Sequence, residues 1–188
     1  MGKLELTIPL PPSVNNYQEY RVRRLGKKNI VETYPSEETE AFYHQTLRYI
    51  EGEIKEQGWK TPLHDKYILV EATMYLRRAG SDCDNYWKCT LDALEKTDVV
   101  INDTQIVPRV TNVFIDKDSP RVELTVTVMD KIGVFDNEEE MEEFKKNNCD
   151  KCTRRNKTHC TVFKGFLEAR VHDLDGHKNC KHLKPYKE

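Results

Sequence analysis

The ten residues from Tyr67 to Leu76, YILVEATMYL, carry the strongest strand signal in the chain, and their surroundings restrict the fold more than any other feature. A short apolar run rich in β-branched and aromatic residues reads as a strand of a covered sheet. Arg77-Arg78-Ala79-Gly80 ends it, and a short helix follows over about 84–95 with Trp87, Leu91 and Leu94 as its apolar stripe. Val99-Val100-Ile101 then runs into a polar turn at Asn102-Asp103-Thr104. Residues 110–115 and 121–129 read as two further strands, with Asp116 to Pro120 as a hairpin loop between them. Upstream, Lys3 to Pro9 alternates as a strand with Leu4, Leu6 and Ile8 on one face, and residues 11–35 read as loop. Pro35-Ser36 starts a helix, which runs through Phe42, Tyr43, Thr46, Leu47, Ile50 and Ile54 to a stop near Gly58. Strands outnumber helices and pair locally, so the expected fold class is α+β, a mixed β-sheet with helices packed on it.

Charge divides the 188 residues more sharply than the formal net charge of −2 suggests. Residues 1–133 hold 18 basic and 21 acidic residues, net −3, and residues 134–143 hold six acids and no base. Residues 144–188 hold 12 bases and five acids, net +7. The expected organisation is a core over 1–133, an acidic linker or short helix over 134–148, and a basic, cysteine-rich module over 149–188. With 37% apolar residues the chain has material for one core, which excludes a fully disordered chain. No stretch approaches the roughly 18 apolar residues of a membrane span, and the start MGKLELTIPLPPS lacks the apolar run of a signal peptide. The expectation is a soluble, intracellular protein with no membrane partner.

The densest chemistry lies in Asp82-Cys83-Asp84-Asn85-Tyr86-Trp87-Lys88, followed by Asn102-Asp103. Asp82 and Asp84 sit where a strand ends and a helix begins, so both carboxylates can enter one pocket, and Asp103 lies on a turn that could return to the same edge. Converging carboxylates repel one another unless they hold a hard cation, Mg²⁺ being the usual guest. Lys88 would supply positive charge to a phosphodiester transition state. The same residues also suit an ordinary helix start, with Asp82 or Asp84 as N-cap, Lys88 in an i,i+4 salt bridge and Asp92 on the helix surface. Residues 11–35 also carry Arg21, Arg23, Arg24, Lys27 and Lys28 around Gly26, a basic loop compatible with plain solvated surface.

Asp82-x-Asp84-Asn85-x-x-Lys88, then Leu91-Asp92-Ala93-Leu94, then Asn102-Asp103-x-Gln105-Ile106 resembles the RusA family of Holliday-junction resolvases, whose pattern is DxDNxxK…LDAL followed by (D/N)DxQI. The opening Pro11-Pro12-Ser13-Val14-Asn15-Asn16-Tyr17 is similar to the family's proline-rich start, and the resemblance spans about residues 4–130. It implies a RusA-like fold and a homodimeric endodeoxyribonuclease, dependent on Mg²⁺ or Mn²⁺, that nicks opposing strands of a four-way DNA junction. It further implies Asp82, Asp84 and Asp103 as the metal-binding acids, Lys88 as the essential lysine, a basic DNA-binding face for which Arg21, Arg23, Arg24, Lys27, Lys28, Arg77 and Arg78 are the candidates, and a cytoplasmic protein of a bacterium or phage. Two other readings remain open: a non-cleaving DNA-binding or regulatory protein on the same fold, and a Mg²⁺ nuclease acting on flaps or single strands.

Four of the six cysteines fall in the last 40 residues, spaced Cys149-x₂-Cys152-x₇-Cys160-x₁₉-Cys180. A Cys-x₂-Cys pair is the usual half-site for Zn²⁺, and so few apolar residues would hardly fold without a staple. The expectation is a small zinc-binding module in which His159, His177 or His182 could replace one thiol, against a metal-free basic tail. Arg154, Arg155, Lys157 and Lys164 would meet phosphate; protein docking suits the same residues.

Overall fold

The computed structural model describes residues 2–26, 28–63, 66–154 and 160–186. It divides into two compact units. The first holds residues 1–64 and 68–128, and the second holds 65–67 and 129–188. Among the described residues no helix is long and apolar enough to cross a membrane.

The first unit is built on a four-stranded sheet with the order β1-β6-β4-β5, formed by β1 (Lys3–Pro9), β4 (Ile68–Leu76), β5 (Ile106–Ile115) and β6 (Arg121–Val128). β6 is antiparallel to β1 and β4, whereas β4 and β5 run parallel, so the sheet is mixed as expected. The parallel pair needs a crossover, and α2 (Trp87–Lys96) supplies it. The strands predicted at 110–115 and 121–129 are joined by the 116–120 loop but do not pair; β4 lies between them, bonded to both. Parallel pairing along β4 extends β5 back to Ile106.

The sheet is covered on one side. Leu4, Leu6 and Ile8, the even-numbered residues of β4, and Val122, Leu124 and Val126 are buried against α1 (Glu37–Glu56) and α2, through Phe42, Ile50, Cys89, Ala93 and Leu94. Each such side chain taken out of water contributes roughly 1.5–3 kcal/mol. The opposite face stays polar, gathering Glu5, Thr7, Glu71, Thr73, Glu123 and Thr125. α1 starts where Ser36 Oγ accepts from Thr39 N–H at 3.2 Å, with Glu37, Glu38 and Glu40 in its first turn. It ends at Gly58, whose φ of +65° lets Trp59 N–H reach back to Ile54 O at 2.9 Å.

Residues 11–35, expected as loop, contain a hairpin of β2 (Gln18–Leu25) and β3 (Lys28–Pro35) turning at Gly26, φ +62°. Almost every residue in it is exposed. Its strand formers are interleaved with Arg and Glu, and no buried face imposes a legible alternation.

In the second unit, 138–144 form the short helix α3 (Glu138–Phe144), capped by Asn137 Oδ1 accepting from Glu140 N–H at 2.8 Å. One π-turn, Lys145–Cys149, follows, and α4 (Thr161–Leu167) comes after Cys160. Phe135 and Phe144, both in the segment expected as linker or helix, are buried with Phe166. The acidic stretch is therefore part of the module's own core. Gly133 (φ +57°) enters that core so closely that a Cβ would lie 2.1 Å from Phe166 O.

Candidate active site

Asp82 begins a single 3₁₀ turn, Cys83–Tyr86, by accepting a hydrogen bond from Asp84 N–H at 3.1 Å. This fold-back brings the Asp82 and Asp84 carboxylates and the Cys83 thiol within 4.8 Å of one another at the start of α2. Burial, then the charges of Asp84 and Asp82, push the Cys83 thiol up, which keeps it protonated and a poor ligand. The two exposed carboxylates are hard oxygen donors with room for water, a donor set that fits Mg²⁺ or Mn²⁺. Asp82 thus serves both readings of the sequence, as a cap and as a carboxylate.

Asp103 stands elsewhere. Asn102 and Gln105 form a capping box around it: Asn102 Oδ1 accepts from Thr104 N–H at 3.0 Å, and Gln105 Oε1 accepts from Ile101 and Asn102 N–H at 3.0 and 3.1 Å. Gln105 Nε2 also donates to Leu63 O at 2.8 Å, and the side chain is buried. The Asn-Asp-x-Gln pattern is thus a rigid bracket that presents Asp103. Its carboxylate lies within 4.8 Å of Asp92 and Glu95, not in the Asp82–Asp84 group. Asp82, Asp84 and Asp103 thus do not close to 4.8 Å as one group, but the charge of Asp103 reaches Lys88, four residues after Asp84.

Lys88, four residues after Asp84, pairs with the second of these groups. It is exposed, and Nζ donates to Asp92 Oδ1 at 2.6 Å rather than turning back to Asp84. That hydrogen bond is the main cause of a raised Lys88 pKa, with Asp103 adding to it through its charge. Asp92, read from sequence as helix surface, instead has only 13% of its side chain exposed and also accepts from the Tyr17 hydroxyl. Tyr17 is fixed in turn by Tyr43 Oη at 3.1 Å, and its carbonyl accepts from Thr39 Oγ1 at 3.0 Å. The proline-rich start therefore acts as a prop for Asp92. Asp92 and Tyr17 are the residues that sequence reasoning missed. The available signal was the i,i+4 spacing of Lys88 and Asp92.

The basic residues divide. Arg21 Nε and Arg23 Nη1 both engage Glu32, at 2.9 and 3.5 Å, so their charge is partly spent within the hairpin. Arg24 lies on the other hairpin face, its Nε donating to Gly26 O at 3.3 Å, while Lys28 is exposed and Lys27 lies outside the described residues. Arg77 and Arg78 are exposed just past β4, a few residues before Asp82.

In the second unit, Cys149, Cys152, Cys160 and Cys180 line one cavity. Burial, then Cys160, Cys180 and Cys152, push the Cys149 thiol up to about 11. At Cys152 burial works upward, but the Lys184 and Arg154 backbone N–H groups outweigh it and hold the thiol below its ordinary value. Among the candidate histidines, His182 lines the same cavity, its Nε2 paired with Asp173 at 2.7 Å, and His177 lines a different one. His159, Arg155 and Lys157 lie outside the described residues.

Comparison with known proteins bears on the first unit. The family described as Endodeoxyribonuclease RusA matches residues 9–127. The chain is 35% identical over 130 residues to the crossover junction endodeoxyribonuclease rusA of Enterobacteria phage 82, covering 69% of this chain and 98% of that protein. The RusA proteins of Escherichia coli K12 and Shigella sonnei match at the same identity and coverage. Residues 129–188 lie beyond the family match. With the Asp-x-Asp cap, the bracketed Asp103 and Lys88 all inside the matched segment, the chain belongs to the RusA family of endodeoxyribonucleases.

Proposed function

We propose that this protein is a structure-specific endodeoxyribonuclease that resolves four-way DNA junctions by paired, symmetric nicks, using Mg²⁺ or Mn²⁺. The observation that carries the reading is the Asp82–Asp84 carboxylate pair at the head of α2, with Lys88 one turn on. A non-cleaving DNA binder has no use for clustered negative charge facing phosphate. Asp82 and Asp84 would hold the ion, and the cap hydrogen bond from Asp84 N–H positions the Asp82 carboxylate before substrate arrives. The bound ion would polarise the scissile phosphate and lower the pKa of a coordinated water. Lys88, steadied by Asp92, faces the extra negative charge that develops as water adds to phosphorus. Asp103 contributes from the neighbouring carboxylate group, where it helps keep Lys88 charged. Arg77, Arg78, Arg24 and Lys28 supply phosphate contacts, joined by Arg21 and Arg23 when DNA phosphate displaces Glu32.

Paired nicks on a two-fold substrate call for two copies of the site, so we infer a homodimer. β5 supports this: it is an edge strand that exposes Val107, Val113, Phe114 and Ile115. The place of action is the cytoplasm of a bacterial cell. A nicking assay on a labelled, fixed four-way junction, with and without Mg²⁺, tests the proposal against linear duplex. Wild type should make paired nicks in opposing arms. Asp84→Asn should lose cleavage by about 10³-fold, a few kcal/mol of transition-state charge stabilisation, and bind the junction at least as tightly because phosphate repulsion falls. Loss of binding in parallel with cleavage would sink the role given to Asp84.

A further inference from the structure

The second unit has a very small apolar core, with Phe135, Phe144 and Phe166 as its buried aromatic centre. Against that core lies a cavity of about 40 Å³ whose wall includes four thiols and the rings of Phe144, Phe163 and Phe166. The thiols come from separate pieces of chain. Cys149 ends the π-turn after α3, Cys152 follows on the next turn, Cys160 precedes α4, and Cys180 sits in a bridge with Leu174. All four are free cysteines. Cysteines serving only as small apolar fillers have no reason to share one wall.

The backbone around them is built to hold sulfur. Lys184 N–H donates to Cys152 Sγ at 3.5 Å, and Thr153 N–H donates to Lys184 O at 2.8 Å, which ties the 149–152 turn to the 180–185 turn. Within the turns, Cys152 N–H reaches Cys149 O at 3.1 Å and Leu183 N–H reaches Cys180 O at 3.2 Å. Buried Asn148 joins the two sides, with Nδ2 donating to Phe144 O at 3.2 Å and Oδ1 accepting from Cys180 N–H at 3.0 Å. N–H groups directed at sulfur, and polar ties that orient the ligand turns, are what a thiolate metal site requires around it.

We propose that Cys149, Cys152, Cys160 and Cys180 bind one Zn²⁺ as a structural site that staples residues 129–188. The cavity has room for a single ion. Four sulfurs around zinc at 2.3 Å would stand roughly 3.8 Å apart. Among the described residues, the ligand groups closed to 4.8 Å are both built on aspartates of the first unit, so the ion draws the thiols inward from wider spacing. The reaction is an exchange of protons for metal: four thiols and one Zn²⁺ give a tetrathiolate of net charge −2 and four released protons, with no redox change. Arg154, on the cavity wall, offsets part of that residual charge. The proposal is independent of the nuclease reading, since it concerns residues outside the family match.

The full chain, purified without added metal or chelator, is tested by elemental analysis and by counting alkylated cysteines. The expected result is one zinc per chain, with Cys149, Cys152, Cys160 and Cys180 protected from alkylation until a mercurial releases the metal. Cys83→Ser should leave the zinc content unchanged, whereas Cys149→Ser and Cys180→Ser should lower it. Because those variants could misfold, the unaltered chain is also stripped and titrated with Co²⁺. One equivalent should produce thiolate-to-cobalt charge transfer with tetrahedral d–d bands. Zinc at buffer level with four freely alkylated thiols, iron in place of zinc, or a disulfide among the four would each overturn the proposal.

Discussion

Asp92 Oδ1 and Lys88 Nζ are 2.6 Å apart, one turn from each other on α2, and the acid of the pair has only 13% of its side chain exposed. An ion pair whose lysine is open to solvent adds little to stability, generally under about 1 kcal/mol. Its importance is positional. The lysine that the proposed mechanism requires is drawn toward the Asp92–Glu95–Asp103 group and away from neutralising Asp84.

Asp92→Asn tests this directly. The hydrogen bond to Asp92 raises the Lys88 pKa above the ordinary 10.5, so the pairing is fully present below that value and is lost as pH rises through the raised one. Removing the carboxylate charge should move the alkaline limb of the nicking rate to lower pH. It should also slow single-turnover cleavage at neutral pH by about tenfold, with junction affinity unchanged. A rate and pH profile identical to wild type would show that Lys88 acts without Asp92.

Tyr17→Phe removes the hydroxyl that Asp92 and Tyr43 share. A hydrogen bond to a carboxylate is worth about 1.5–3 kcal/mol, so the variant should unfold at measurably lower denaturant. Nicking should slow severalfold as Asp92 loosens. Combined with Asp92→Asn, the two losses should fall well short of additive in a double-mutant cycle. Strict additivity would mean that Tyr17 does not act through Asp92.

Much of this arrangement was legible in the sequence, and the rest was hidden for specific reasons. Leu4, Leu6 and Ile8 announced β1 because one face of the strand is buried, and Ser36 with its following acids announced α1. The hairpin at 18–35 stayed silent because nothing buries it, leaving Val22, Val31 and Tyr34 exposed among arginines. Pairing was also beyond reach: the 116–120 loop suggests a local hairpin, and only the placement of β4 between β5 and β6 shows otherwise. At the site, Asp82, Asp84 and Lys88 could be named from spacing. That Asp103 joins Asp92 and Glu95 depends on the path of the chain after α2, which the motif does not encode.

Gln105→Ala should show what the bracket around Asp103 contributes. The substitution leaves the N–H groups of Ile101 and Asn102 and the carbonyl of Leu63 without their partner. Unpaired buried groups cost about 1–3 kcal/mol each, partly relieved by water, so a net loss of about 2–3 kcal/mol is expected. For a chain of this size that lowers the melting temperature by roughly 4–12 °C in calorimetry. Cleavage should fall further than stability alone explains, measured at a temperature where the variant is fully folded. Full activity there would show that the position of Asp103 does not matter.

The edge of the sheet gives the last test. β5 exposes Val113 and Ile115 on one face, 46% and 53% accessible, at the open side of a strand whose other side is bonded to β4. A long apolar edge left bare invites uncontrolled pairing, and natural sheets block it with charge or cover it. In the inferred homodimer a second copy covers it. Val113→Lys with Ile115→Lys should therefore leave the far-ultraviolet circular dichroism unchanged but shift the mass by light scattering from two chains to one. The monomer should still bind a junction arm yet lose paired nicking, because simultaneous cuts in opposing strands need two sites held together. A variant that stays dimeric and fully active would place the two-fold axis elsewhere on the protein.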